Sequence, residues 1–282
     1  MAMNIRKKWP LTLVACCWLS VAMAQLEVVR DEQPQFAFSG GQRRVGVSLR
    51  NIGTNAVHAE LRIRLLQTTS ATAVQIADAP WKKLQVPGGQ TIIESAALNL
   101  PNVKAKTRFI VQWWENTNKV IGMTDVMAYP TNLLEGLKPL LGDEGVLGVL
   151  DPPDHFKPLL KYAKVEFVDL ENTVLEDFRG RLAIIGPFES KEQMCEGFSA
   201  RIQTIARKGV AVVWIQPRLE QQDKPLPSFY SVPQNEVAVV VVQPELVADL
   251  AQNPRSQLNL IHFCRLALHT EPLRLPNLKP QP

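Results

Sequence analysis

Residues 181–217 read RLAIIGPFESKEQMCEGFSARIQTIARKGVAVVWIQP, and the fold turns on how they are read. Leu182 to Ile185 is an unbroken apolar run of strand length, Gly186-Pro187 is a turn signal, and residues 190–207 carry apolar side chains at helical spacing. Val210 to Ile215 is a second apolar run. A strand, a helix and a strand with no polar alternation make a βαβ unit whose strands are buried on both faces. Ligands of such sheets gather where the strands end, which directs attention to Gly186–Ser190 and Gln216–Arg218. Neither stretch announces an active site.

Working outward, Val146–Leu150, Val165–Leu170 and Val237–Val242 are further apolar strands. Helical segments are expected at Asp151–Tyr162, Thr173–Phe178, Ser190–Arg207 and Ser256–Leu268. Five apolar strands separated by helices predict a three-layer α/β domain with a parallel five-stranded sheet over residues 145–270. The segment between the last two strands, Arg218 to Gln234, is polar and contains proline, so a loop is expected there. Leu133, Leu134, Leu137 and Leu140 give residues 131–144 the spacing of a connecting helix, shortened by Pro139.

Residues 25–130 have a different rhythm. Val45, Val47 and Leu49, then Asn51-Ile52-Gly53-Thr54-Asn55, then Val57, Ala59, Leu61, Ile63 and Leu65 predict a hairpin with one wet face. Strands are also expected at Thr91–Leu100, Thr107–Trp114 and Lys119–Met127, which together predict an all-β sandwich. The run LRNIGTNAVHAELRIRL resembles a hairpin of immunoglobulin-like (Ig-like) modules of secreted bacterial proteins. Trp113 and Trp114 must point to opposite faces, and an exposed Trp114 or Trp81 is a stacking platform for a sugar ring or a packed junction residue.

Residues 1–24 carry Arg6, Lys7 and Lys8, an apolar run from Trp9 to Ala22, and Val-Ala-Met-Ala before Gln25, the three-part pattern of a secretory signal peptide. Export to the periplasm or exterior is expected, with cleavage before Gln25; Leu13-Val14-Ala15-Cys16 is the competing lipobox reading, with a lipid on Cys16. The run is too short for a membrane span. Without its three cations, the 31 Lys and Arg residues fall to 28 against 27 acids, so no basic footprint for nucleic acid remains. Two cysteines survive processing, Cys195 and Cys264, and both are expected to be buried free thiols on the apolar sides of helices, though two exported thiols could pair. Residues 271–282 are a proline-rich tail.

Candidate chemistry is sparse. Asp151-Pro152-Pro153-Asp154-His155 places two carboxylates and an imidazole after the first α/β strand; acid–base or metal chemistry competes with helix capping by Asp151, with Pro152 in the first turn. Ser190 with Gln193 reads as a capping box, and the helix dipole accounts for Glu189. No glycine-rich phosphate loop, Gly-x-Ser-x-Gly, His-Glu-x-x-His or paired Cys-x-x-Cys occurs.

The order of strand, Gly-Pro-Phe-Glu-Ser, helix and strand across Leu182–Gln216 resembles the centre of class I glutamine amidotransferase-like, flavodoxin-like domains. Nucleophile-free relatives of these serve as the trimerisation domain of some β-galactosidases. The resemblance implies a cysteine elbow after the next strand, where this chain has Trp214-Ile215-Gln216-Pro217, so the domain is expected to be degenerate. Cys195, His269 and Glu271 echo that family's residue types, and a working triad would require them within hydrogen-bond reach. The reading that follows is an exported, non-catalytic binding or assembly protein without cofactor or metal, with a protein or glycan partner and room for a homo-oligomer. The alternatives are a hydrolase or amidotransferase-like enzyme acting at the strand-end crevice, and a carbohydrate-binding protein.

Overall fold

The computed structural model describes residues 26–190, 193–194, 196–217, 228–234 and 236–269. Fourteen strands and four α-helices are present among them. The first eight strands are β1 (Leu26–Val29), β2 (Gln35–Phe38), β3 (Gly41–Asn51), β4 (Val57–Thr68), β5 (Ala73–Val86), β6 (Thr91–Leu100), β7 (Thr107–Glu115) and β8 (Lys119–Tyr129). They form a three-stranded sheet, β1-β3-β6, and a five-stranded sheet, β2-β8-β7-β4-β5. Inward residues of both, among them Val47 and Leu49 of β3, Leu61 and Ile63 of β4, and Phe109, Val111 and Trp113 of β7, share one core.

The expected hairpin of β3 with β4 does not form. The two strands belong to different sheets, and the chain crosses the core edge between them. Asn51, fully buried, holds that crossing: its Nδ2 donates to Asn55 O and Val86 O at 2.8 and 2.9 Å, and its Oδ1 accepts from Gly53 N. A buried amide that satisfies three groups fixes an arch where alternation alone suggested a two-stranded turn.

After β8 comes a 3₁₀ turn at Leu133–Leu137 that runs into the short α1 (Lys138–Leu141), where a single connecting helix was expected. Then follow β9 (Leu147–Leu150), α2 (Lys157–Tyr162), β10 (Val168–Asp169), β11 (Leu182–Ile185), α3 (Phe198–Arg207), β12 (Ala211–Ile215), β13 (Phe229–Gln234), β14 (Val237–Val242) and α4 (Pro254–Leu268). Their sheet has six strands in the order β10-β9-β11-β12-β14-β13. Leu182 and Ile184 face a core with α2, α4 and the leucines of the connecting segment, whereas Ala183 and Ile185 face Phe198, Ile202 and Ile205 of α3.

The fold class expected from the sequence is therefore corrected. The C-terminal sheet is mixed and six-stranded, because β13 runs antiparallel along β14, from Phe229 opposite Val242 to Gln234 opposite Val237. The connection from Gln234 to Val237 is too short for a crossover, and so short a link permits only antiparallel pairing. In the N-terminal part β2 pairs with β8 in parallel, so the all-antiparallel Ig-like arrangement does not hold either. Strand accounts for 44% of the described residues against 21% helix, a balance set by antiparallel and mixed pairing. No helix among the described residues is long and apolar enough to cross a membrane.

Candidate functional site at the strand ends

The carboxyl ends of β9, β10, β11 and β12 bring together the segments singled out in the sequence. At β9, Asp151 is fully buried, and its Oδ2 accepts from the backbone amides of Phe156 and Lys157 at 2.6 and 3.0 Å. This is capping, but not in the expected register. Asp154, in a left-handed conformation at φ 56°, turns the chain after Pro152-Pro153, so that α2 starts only at Lys157. The carboxylate thus reaches forward five and six residues. Its second oxygen, Oδ1, is buried with no hydrogen-bond partner. Asp154 and His155 are exposed.

Lys157 opens α2 and is buried, with its Nζ directed at β10. The ammonium donates to Asp169 Oδ2 at 3.0 Å and to Glu171 Oε1, and Asp154 Oδ1 stands 3.9 Å away. Glu171 Oε1 also accepts from Asp151 N. Burial works to lower the Lys157 pKa, but hydrogen bonds and charge from Glu171 and Asp169 outweigh it and hold the ammonium above its ordinary value. Asp169 lies below the usual carboxylate range because the backbone amide of Glu171 donates to it and, against burial, Lys157 adds to the effect. The sequence reading missed this cluster, which depends on β9 and β10 being neighbours. Asp-Leu-Glu just after an apolar run was its one signal.

The linkage has a definite sign. Asp169, depressed in the folded state, contributes stability above its unfolded value of 3.8 that is lost as pH falls through the folded value. Lys157, raised, contributes below 10.5 and loses it as pH climbs through its folded value. The stability gap between wild type and Lys157→Met, measured by urea denaturation, is therefore expected to be flat between about pH 5 and about pH 9 and to shrink below about pH 4. With both carboxylates part-exposed, the gap attributable to the ion pairs is no more than about 1 kcal/mol.

At β11, Gly186 adopts φ 92°, and Glu189 N donates to Gln193 Oε1 at 2.8 Å. Ser190 does not cap α3, which begins at Phe198 behind Gly197 in a left-handed conformation, so the long helix expected from Ser190 is corrected. At β12 the edge is apolar, with Trp214 6.3 Å from Phe198 and Phe198 edge-on to Phe188 at 5.5 Å.

Of the triad candidates, His269 alone lies among the described residues. Cys195 and Glu271 lie outside them, as do the leader with Cys16, residues 218–227 of the expected loop, and the tail. His269 is exposed at the end of α4, its amide bonded to Arg265 O. Cys264 is a free, fully buried thiol whose pKa burial drives far above the ordinary value, so it is no nucleophile at neutral pH. Among the described residues no group of three or more His, Cys, Asp or Glu is placed to hold a metal ion.

The sugar-platform candidates are both occupied. The Arg64 guanidinium lies 3.8 Å over the Trp114 ring, and Arg64 itself is tied to Asp78 at 2.8 Å. Trp81 packs on the buried Trp113 at 5.0 Å.

No protein-family model and no curated protein matches the chain. Solved structures give partial likenesses. An alkylpurine DNA glycosylase, AlkC, of Pseudomonas fluorescens is 10% identical with a TM-score of 0.30 over 38% of this chain and 31% of that one. The sporulation control protein Spo0M of Bacillus subtilis is 11% identical with a TM-score of 0.30, over 44% and 61%. A β-glucosidase of Listeria innocua is 16% identical with a TM-score of 0.27, over 37% and 16%. The chain covers less than two thirds of each of these proteins, and at such scores none of them bears on its activity. None is described as a glutamine amidotransferase.

Proposed function

We propose that this chain is an exported, non-catalytic protein that works by binding or assembly. The observation that carries the reading is the state of Asp151, the one fully buried carboxylate at the strand ends among the described residues, whose Oδ2 is taken up by two backbone amides. Its other oxygen, Oδ1, has no hydrogen-bond partner but is sealed in the interior, and a general base must be reachable by the proton it removes. Lys157, Asp169 and Glu171 are likewise spent on each other, while Asp154 and His155 stand exposed, Asp154 only 3.9 Å from the same committed ammonium. Two further features support the reading. The edge strand β13 presents exposed Phe229, Tyr230 and Val232, and an edge with apolar side chains is a surface for another chain. The leader pattern of residues 1–24 supports export.

Purified chain assayed against a broad panel of ester, amide, glycoside and phosphoester substrates is expected to give no turnover above blank. Turnover that disappears in Asp154→Asn, His155→Gln or Cys195→Ser would overturn the proposal in favour of an enzyme.

A further inference from the structure

Away from the strand ends, the N-terminal part of the chain leaves one long strand open. β6 ends the order β1-β3-β6, and β3 is its one ladder partner among the described residues. Their pairing runs without a register shift from Gly41 opposite Leu100 to Arg50 opposite Thr91. Two places settle which backbone groups that pairing uses. Asn51 N donates to Gln90 O at 2.9 Å, so the pair just before β6 is a hydrogen-bonded one, and the alternation of an antiparallel ladder then turns the even-numbered residues of β6 toward β3. At Gly46, opposite Ser95, the amide and the carbonyl are both taken by the Gln35 side chain, at 2.9 and 2.8 Å, and so are not spent on β6. Thr91, Ile93, Ser95, Ala97 and Asn99 therefore direct their amides and carbonyls out of the sheet. These groups have no hydrogen-bond partner among the described residues, and all five residues are exposed.

Open edges are normally blunted by a bulge, a proline or charge. β5, the edge of the facing sheet that lies beside β6, has all three: register shifts at Leu61/Arg62 and Leu65/Leu66, Pro80, and the pair Lys82-Lys83. The outward positions of β6 have none of them, and Ile93 is 83% exposed. β13 is a shorter edge and carries Pro233, which has no amide to donate.

The β6 edge is also complementary to itself. Laid antiparallel on a copy about a two-fold axis through Ser95, it sets Ser95 opposite Ser95, Ile93 opposite Ala97 and Thr91 opposite Asn99, and every outward amide meets a carbonyl. Glu94, the one charge on the strand, falls opposite Ala96 and not its own copy, and it is already bonded to Lys82 Nζ at 2.9 Å. From this we infer that β6 is the interface of a homodimer: a second copy of the chain adds its own β6 about Ser95 and joins the two three-stranded sheets into one continuous sheet, β1-β3-β6-β6-β3-β1. Dimerisation at this edge does not depend on whether the strand ends are catalytic.

Sedimentation of the purified chain over a concentration series tests it. A monomer–dimer equilibrium at about micromolar concentration is expected. Ser95→Pro removes an amide that has no partner within the chain, at an edge position where proline is tolerated, and is expected to weaken the dimer at least about 100-fold with an unchanged circular dichroism spectrum. Ile93→Lys, at a side chain too exposed to matter for folding, is expected to weaken it at least about tenfold. Register is read by cross-linking: the two Ser95 Cα atoms would stand about 5.5 Å apart, so Ser95→Cys is expected to form a covalent dimer on oxidation, well above the wild-type background. Thr91→Cys, about 26 Å from its copy in this register, is expected not to. A chain that stays monomeric to about 100 μM, a dimer that survives both Ser95→Pro and Ile93→Lys, or cross-linking of Thr91→Cys as readily as of Ser95→Cys would overturn the assignment.

Discussion

Asp151→Ala is expected to lower the unfolding free energy by about 2–4 kcal/mol. The change strips the acceptor from two amides that open α2, both inside the core between Phe156 and Leu160, and leaves them buried and unpaired. It also relieves a cost, because Asp151 Oδ1 is already buried without a partner, which keeps the net effect below that of losing two charge-assisted bonds outright. Asp154→Asn and His155→Ala, at exposed positions a few residues on, are expected to stay within about 0.5 kcal/mol. Urea denaturation of the three variants measures this directly. The sign matters for function: a catalytic carboxylate is commonly held at the expense of stability, and its removal then stabilises. A stabilised Asp151→Ala would therefore speak for chemistry at this position.

Trp113→Ala is expected to be the most damaging substitution in the N-terminal half, at about 3–5 kcal/mol. The indole is fully buried between the two sheets, packs on Trp81 at 5.0 Å, and donates from Nε1 to Thr124 Oγ1 at 2.9 Å. Truncation opens a cavity and also leaves the hydroxyl of buried Thr124 short of a partner. Trp114→Ala, one residue on and on the opposite face, loses the stacking of Arg64 and a part-buried bond from Nε1 to Gln112 Oε1 at 3.3 Å, and is expected to cost about 1 kcal/mol. Midpoints of urea unfolding followed by circular dichroism separate the two outcomes, and equal losses would mean that Trp113 is not the centre of the core.

These contrasts also mark where the sequence was legible. Leu182–Ile185, Ala211–Ile215 and Val237–Val242 stand as strands close to where their apolar runs place them, because strands buried on both faces need apolar residues at every position. β13 was hidden by the same logic. FYSVPQ is an edge strand, mostly exposed, and its Pro233 is tolerated only because one side has no neighbour among the described residues. β5 was missed for a similar reason: it is another edge strand, contains Pro80, and buries only Val86, so it shows no alternation. The pattern of β3 and β4 gave their inward faces correctly, but periodicity says which side chains turn inward and nothing about which sheet a strand joins. That was decided by Asn51.

At the strand ends the residue types were readable and the register was not. An acid followed by prolines ahead of an apolar helix does signal a cap, yet the left-handed turn at Asp154 moves the helix start to Lys157 and changes which amides Asp151 serves. Lys157 was not singled out in the sequence. Its burial follows from Asp169 at the end of β10 and Glu171 just beyond it, which are adjacent only in space.

The most direct test of the central claim, that the strand-end carboxylate is a buried cap anchored through Oδ2 on two backbone amides, is hydrogen exchange at the Phe156 and Lys157 amides near neutral pH. Slow exchange at both in the wild type, lost on Asp151→Ala while the β11 and β12 amides stay protected, is the predicted result. Exchange at unprotected rates in the wild-type chain would contradict it and return Asp151 to the pool of groups free to do chemistry.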